Sequence, residues 1–426
     1  MTDQTSTSRT IIDFDHHSAE FAADPTPFYA SALQPESPAF SPHYDGFWIA
    51  ARYADAGRLG RDPNTFSSEK DLDGTGKGAQ YGGVLIPPWP VAPGVGELDG
   101  DEWVAFRRLI APHLAPNVVE ALRPVITKYS ISIMDRFITS GQADLVADFT
   151  APVPAIVTMQ LMGLPLDDWA LWAKAMHDML ALAPGVPGYD EAFAELMKLS
   201  GNLLGAIGKR RGELADESGV STEDMLSNFV TARINGQPVP DEVVLAHLIN
   251  VIVGGVDTTT SLTAHALLYL HRNHAARELL RADPSKIPAA CEEFLRYYSP
   301  APAQARTVTS DYVMGDSAMK EGDRVLICWA AANRDPAVFA NPDEVNLDRS
   351  PNNHAAFGLG PHRCPGSHLA RVEFEIMLAE VLRRIPDYVI DESELQMYRD
   401  RGVANGVVSL PATFTPGAAA GPPLAL

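Results

Sequence analysis

The run Phe357-Gly358-Leu359-Gly360-Pro361-His362-Arg363-Cys364-Pro365-Gly366 leads directly into a segment with helical spacing, 366–384. Gly358 and Gly360 free the backbone to lie flat against a large planar ligand and to adopt dihedrals closed to residues with a Cβ. His362 and Arg363 are donors suited to carboxylates. Proline is favoured at the first helical position. Pro365 therefore sets Cys364 at the positive end of the helix that follows, where a thiolate is stabilised. Gly366 keeps bulk off the same face. A lone CxG triplet carries no information, and the bland alternative is a buried structural cysteine in a glycine-rich turn. Ten residues with separate tasks argue against it.

The stretch resembles the haem-thiolate signature of the cytochrome P-450 monooxygenases, FGxGxHxCxG, and fits it at every fixed position. The resemblance implies that Cys364 ligates the iron of haem b (iron protoporphyrin IX), with Phe357, Gly358 and Gly366 against the ring and His362 at a propionate. It also implies a mainly α fold with small β-sheets. That fold is a helix-rich triangular prism, with a long distal helix across the haem and the cysteine loop on the proximal side.

Three further matches follow in the right order along the chain. The segment from Asp241 to Arg272 is unusually long for a globular helix, and Gly254-Gly255-Val256-Asp257-Thr258-Thr259 interrupts its good helix formers. Glycine in a helix interior costs about 1 kcal/mol against alanine. It is retained either for close packing on another helix or because a ligand approaches the backbone and the helix opens. The pattern resembles the family's oxygen-binding groove, (A/G)GxDTT. By that resemblance Thr258 donates a hydrogen bond to bound dioxygen and Asp257 relays protons from solvent, with Gly254 against the cofactor. Breaking the O–O bond requires protons at the distal oxygen without loss of peroxide.

Glu293-Phe294-Leu295-Arg296 places an acid and a base at i, i+3 on one helical face, ordinarily a minor surface pair. It resembles the family's ExxR, which is buried and braces the cysteine loop. The third partner in the family is an arginine downstream. The aligned position here is Glu344, in Pro342-Asp343-Glu344-Val345, with Arg349 a nearby substitute. For the propionates, Arg306 matches a family arginine entering the pocket from a strand. The family's HxxxR reads Trp103-Val104-Ala105-Phe106-Arg107, so Arg107 is kept and Trp103 replaces the histidine. Indole N–H is still a donor; an ordinary packed aromatic is the alternative.

Pro365 has no N–H to offer the sulfur before it. One donor fewer leaves a more electron-rich thiolate and a lower haem potential. Cys328, in an apolar strand, and Cys291, on a helix, read as small buried hydrophobes. His247, His265 and His354 read as structural.

A chain of 426 residues, 46% hydrophobic, supports a large core, and no clear linker divides it. We expect a weakly ordered lead at 1–15, one catalytic domain over 16–415 and a low-complexity tail at 416–426. Three cysteines are too few for a disulfide framework, pointing to a reducing compartment. MTDQTSTSRTIIDFDHH lacks the features of a signal peptide, and no run of about 18 apolar residues suggests a membrane span. A cytoplasmic monomer is expected. A net charge of −21 disfavours nucleic acid. Local basic groups, Arg107, Arg108, Lys128, Arg363 and Arg371, fall where the resemblance puts the thiolate side, suited to an acidic electron donor.

Helical spacing is read near 102–112, 117–138, 144–162, 166–180, 190–216, 223–232, 240–272, 275–281, 286–298 and 366–384. Strands are expected near 46–50, 306–314, 324–328 and 406–414, and a long loop over 67–100.

The resemblance implies insertion of one atom of dioxygen into an unactivated C–H bond, or epoxidation, with the other atom reduced to water. Electrons would come from NAD(P)H only indirectly, through a separate 2Fe–2S ferredoxin and its reductase. Ile86, Trp89, Leu180, Val253, Gly254, Pro302, Val403 and Ala404 are nominated as pocket walls; all are apolar or small, which suits a terpenoid, steroid or fatty acid. The alternatives are a peroxide-driven haem enzyme and a haem-binding protein without turnover. Neither needs the acid–alcohol pair Asp257-Thr258.

Overall fold

The computed structural model describes residues 9–69, 83–88, 94–182, 186–216, 223–421 and 424. Its centre is the long apolar segment Asp241–Arg272. This is the one helix among the described residues long and apolar enough to cross a membrane. The fold gives that apolarity a protein partner. Leu262, Ala264, Ala266, Leu267 and Leu270 are buried in the main core against Val372, Phe374, Met377, Leu378 and Val381 of the helix Ser367–Arg384. The helix Ile287–Tyr298 packs on both. A second apolar cluster fills the space between the first half of the long helix and the helices Gly100–Ile110, Trp169–Leu180 and Tyr189–Ala215.

The long helix is not continuous. It runs as Asp241–Gly255 and Asp257–Arg272, parted at Val256. The interruption falls inside the Gly-Gly-Val-Asp-Thr-Thr run, where poor helix formers concentrate.

A five-stranded sheet flanks the helices in the order Ala39–Ser41, Phe47–Ala50, Arg324–Ile327, Gln304–Val308, Phe66–Ser67. Arg306 sits opposite Val325 in this sheet. The segment expected as one strand over 306–314 is two, Gln304–Val308 and Tyr312–Met314, in separate sheets. The 406–414 segment likewise divides at Leu410, whose N–H leaves the ladder for Asp144 Oδ1. The 144–162 segment becomes a π-helical turn, Val146–Thr150, and the helix Pro152–Met162, since Pro152 and Pro154 cannot donate to a continuing ladder. The helices Thr26–Leu33 and Tyr53–Arg61 lay outside the expected set. Pro25 and Pro27 obscure the first, and in the second the buried face is made of Ala56, Gly57, Leu59 and Gly60, with one large apolar residue among them.

The described residues of both end segments touch the rest of the fold. Phe14 is buried and its carbonyl accepts from Ser41 Oγ at 2.9 Å. The tail returns over the helix Arg123–Asp135, with Gly417 N on Ile138 O and Ala420 N on Asp135.

The cysteine loop is held from behind by a buried ion network. Glu293 and Arg296 are both 0% exposed and pair through Nε–Oε2 at 2.9 Å and Nη2–Oε1 at 2.8 Å. Arg296 also donates to the carbonyls of Asn333, Pro342 and Glu344. Arg349, not Glu344, supplies the third side chain, with Nε 3.0 Å from Glu293 Oε2. Glu344 contributes only its backbone carbonyl, which also faces Arg349 Nη2. The amide of Asn346 and the side chain of Asn352 complete the shell of Glu293. Burying charges is costly unless their donors and acceptors are met; Glu293 and Arg296 meet that condition, while Asn352 Oδ1 in the shell has no partner. Arg349→Ala is expected to lower unfolding free energy by about 1.5–3 kcal/mol, the worth of a hydrogen bond to a charged group. Urea unfolding of the haem-loaded protein checks this, and a loss below about 1 kcal/mol would contradict the assigned third member.

Candidate functional site

The cysteine loop meets the long helix across an apolar-walled cavity of about 340 Å³. Phe357, Gly358, His362, Cys364 and Gly366 line one side, Val253, Gly254, Thr258 and Thr259 the other, and Trp103, Arg107 and Arg306 the edge.

On the loop side, Gly358 and Gly360 have φ of +69° and +88°. At Gly360 the demand for glycine comes from behind: a Cβ there would lie 2.0 Å from Gly60 O. This glycine seats the loop on the helix Tyr53–Arg61 and does not face a ligand. A Cβ on Gly366 would lie 3.8 Å from Cys364 Sγ, an ordinary contact, so the sulfur itself does not demand glycine there. The following helix starts at Ser367 with Gly366 as its cap. Pro365 is thus in the turn before the helix, two positions ahead of the first helical residue it had been expected to be. Burial pushes the Cys364 thiol up; the Gly366 amide and then Arg107, Arg363 and Arg371 pull the other way. Arg371 also stacks 4.6 Å over the Phe357 ring while pairing with Glu292.

At the edge, Arg306 is 5% exposed and bonds the Ala305 carbonyl, and no described carboxylate forms an ion pair with it. Burial lowers it to about 10, partly offset by Asp99. A buried cation without a bonded counter-ion is a strong demand for an anion. Arg107 donates to the Arg363 carbonyl at 2.7 Å. His362 turns to Asp99, Nε2 to Oδ1 at 2.8 Å, where a propionate had been expected. Asp99 also accepts from Ser67 Oγ and Ser68 N, both at 2.7 Å. Burial alone would raise Asp99; bonds from His362 and Ser67 outweigh it and hold it low. The Trp103 ring lies 5.2 Å from that of His362. Asp99 escaped sequence reasoning because its partner is 263 residues away.

On the helix side the two glycines divide their tasks. A Cβ on Gly255 would meet Thr158 Oγ1 at 2.7 Å, so this glycine serves helix packing. Gly254 has open space there, on the cavity. Thr258 Oγ1 donates to the Gly254 carbonyl at 2.8 Å. Asp257 is 1% exposed and turned away from the cavity, accepting from Tyr398 OH at 2.7 Å, with His177 Nδ1 at 3.1 Å. Glu373, on the cavity wall, faces Thr259 and has one oxygen without a partner; burial raises it to about 8. His177 and Glu373 carried a signal that went unused. Each is a polar residue at an apolar-stripe position of its helix, beside Ala173 and Met176 in one case and Leu369 and Met377 in the other.

Of the nominated pocket walls, Val253 and Gly254 line the cavity and Trp89 lies outside the described residues. Ile86 packs instead with Phe14, Phe47 and Leu326. Leu180, Val403 and Ala404 gather around Tyr398. Pro302 turns away, its carbonyl taking the Ala330 N–H, while Pro300 and Ala301 line the cavity. The missed walls include Val95, Leu161, Asn250 and Leu295. Cys291, Cys328, His247 and His265 are buried, with His247 3.8 Å from the Phe106 ring and dropped by burial to about 4, whereas His354 meets Glu292 Oε2 at 3.1 Å.

A cavity lined by a thiol from the loop, the opened stretch of the long helix and a buried arginine without a described carboxylate partner fits a dianionic iron porphyrin. Comparison with known proteins agrees. The cytochrome P-450 family description matches residues 92–402. Cytochrome P-450 130 of Mycobacterium tuberculosis is 31% identical over 396 residues, covering 90% of this chain and 93% of that one. A steroid C26-monooxygenase of the same species is 29% identical, covering 78% of this chain and 89% of its own. The solved cytochrome P-450 CYP109Q5 from Chondromyces apiculatus superposes with a TM-score of 0.80 at 25% identity, covering 96% of this chain and all of that one. The fold, the cavity and these similarities lead to one conclusion: the chain belongs to the cytochrome P-450 family of haem-thiolate monooxygenases.

Proposed function

We propose that the chain hydroxylates an unactivated C–H bond, or epoxidises a double bond, of a small-to-medium hydrophobic substrate. The observation that carries this reading is Cys364 and the Gly254–Thr258 opening facing each other across one apolar cavity. When bound, haem b supplies activation of dioxygen for insertion into the substrate. The chain's own residues hold, orient and protonate. Cys364 is the iron ligand, with the Gly366 amide directed at its sulfur. Arg306 and Arg107 take the propionates, with Trp103 packed beside them; His362 fixes the loop through Asp99 or turns to the same anion. Phe357, Gly358 and Gly254 bound the ring.

Thr258 holds a hydroxyl at the cavity and Asp257 is the acid behind it. A peroxide-driven enzyme or a silent carrier has no use for that pair. Val95, Leu161, Val253, Leu262 and Leu295 give the cavity an apolar wall, which suits a steroid, terpenoid or fatty acid. The steroid-oxidising relative supports an elongated alicyclic substrate.

Electrons arrive from a 2Fe–2S ferredoxin and its NAD(P)H-dependent reductase. Arg108, Lys128 and Arg363 are exposed, whereas Arg371 is committed to Glu292. The exposed three form the basic surface for an acidic donor to a cytoplasmic, monomeric enzyme.

With surrogate ferredoxin and reductase, wild type should oxidise a substrate found by its spin-state shift. Thr258→Ala should keep that shift and NAD(P)H consumption, while product per electron falls about tenfold and peroxide rises. Unchanged coupling would overturn the assigned role. Pro365→Leu restores an N–H beside the sulfur and should raise the reduction potential; a fall, or no change by spectroelectrochemical titration, would contradict the argument.

A further inference from the structure

His177 stands on the helix Trp169–Leu180, Tyr398 follows the strand Gln396–Met397, and both converge on one oxygen of Asp257. The His177 ring is flanked by acceptors at both nitrogens. Nε2 lies 3.2 Å from the Val408 carbonyl, which can only accept, and Nδ1 lies 3.1 Å from Asp257 Oδ1. The Tyr398 hydroxyl oxygen lies 2.7 Å from Asp257 Oδ1 and 2.9 Å from His177 Nδ1, and its single hydrogen cannot serve both at once. With Tyr398 donating to the carboxylate, a neutral ring would leave two lone pairs facing each other at one of its nitrogens. Satisfying every contact requires a proton on each ring nitrogen.

Exposure gives the cluster a direction. Asp257 is 1% exposed and Tyr398 2%, whereas the His177 side chain is 13% exposed. Of the three, the imidazole is the group most open to solvent.

We propose that His177 is the proton store for Asp257, and that Tyr398 is the switch that releases the acid once the proton has moved. The step is a single proton transfer. The N–H bond at Nδ1 breaks, an O–H bond forms at Asp257 Oδ1, and no electrons change hands. The bare Nδ1 then becomes an acceptor, and the Tyr398 hydrogen re-aims to it across 2.9 Å. Asp257, neutral and free of that bond, can rotate toward Thr258 and the cavity. Water at the exposed edge of the ring restores the imidazolium. His177 and Tyr398 act through Asp257 and are positioning residues. This inference rests on the monooxygenase reading, in which the cavity consumes protons.

The groups acting on the ring are Asp257 from the long helix, Tyr398 beside it, and Asp178 from its own helix, itself paired with Lys174. Burial lowers His177, but the bond and charge of Asp257 outweigh it and the net direction is upward. The ion pair's contribution to stability is therefore fully present below about pH 6.5, the ordinary histidine value, and is lost as pH rises through the raised folded value.

The test uses the haem-loaded enzyme in its diamagnetic reduced CO complex, with carbon-13 histidine. The His177 resonance, assigned by its loss in His177→Gln, should titrate above 6.5, and should drop below 6.5 in Asp257→Asn. A wild-type titration at or below 6.5, or one unmoved by Asp257→Asn, overturns the store. In turnover, wild-type product per electron should decline as pH rises through the measured value. His177→Gln should lose at least about tenfold in coupling and be flat with pH. Tyr398→Phe should keep the raised titration yet lose coupling, since the acid has no release. Full coupling in either variant overturns the relay. Absence of product from wild type would defeat the oxygenase reading instead, and the titration would still decide the store.

Discussion

Everything in this molecule depends on where the sulfur of Cys364 is held. Two rigid contacts set it. From one side the Gly360 backbone presses against Gly60, so closely that a Cβ would lie 2.0 Å from its carbonyl oxygen. From behind, the fully buried Glu293–Arg296 pair ties the Ile287–Tyr298 helix to Arg349, Asn346 and Asn352 in the segment before the loop. A buried charge with every bond met resists displacement, because any shift strands an ion in low dielectric. The loop therefore arrives at the cavity in a single position, with its thiol facing the opened stretch of the long helix.

The opposite wall uses the contrary physics. Here the backbone is weakened by two glycines and three threonines, and the helix parts at Val256. Stiffness at the cysteine and looseness opposite it are complementary needs. A metal ligand must not move, whereas an acid that serves a cavity must turn. Asp257 sits at the start of the second helical piece, held by groups from two other parts of the chain.

The cysteine loop, the acid–alcohol pair and the Glu293–Arg296 pair were legible because each is contiguous and each residue type has a local reason. What stayed hidden required distance. The choice between Glu344 and Arg349 as third partner stayed open, because an irregular segment decides which side chain meets Glu293, and register cannot be counted through such a segment. Asp99, His177 and Tyr398 gain meaning only when the fold closes over spans of 80 to 263 residues. The pocket walls failed for a related reason. Ile86, Leu180, Pro302, Val403 and Ala404 belong to loops and element ends, where a small twist exchanges an inward neighbour for an outward one. Two histidine and glutamate positions were readable in principle, since a polar residue on an apolar stripe asks for a partner.

The most direct measurement is the reduced, CO-bound absorption spectrum of the haem-loaded protein and of Cys364→Ala. The account predicts the red-shifted Soret band of a thiolate-ligated haem in the wild type and its complete loss in the variant. If the variant keeps that band, the sulfur of residue 364 is not the ligand and the account fails.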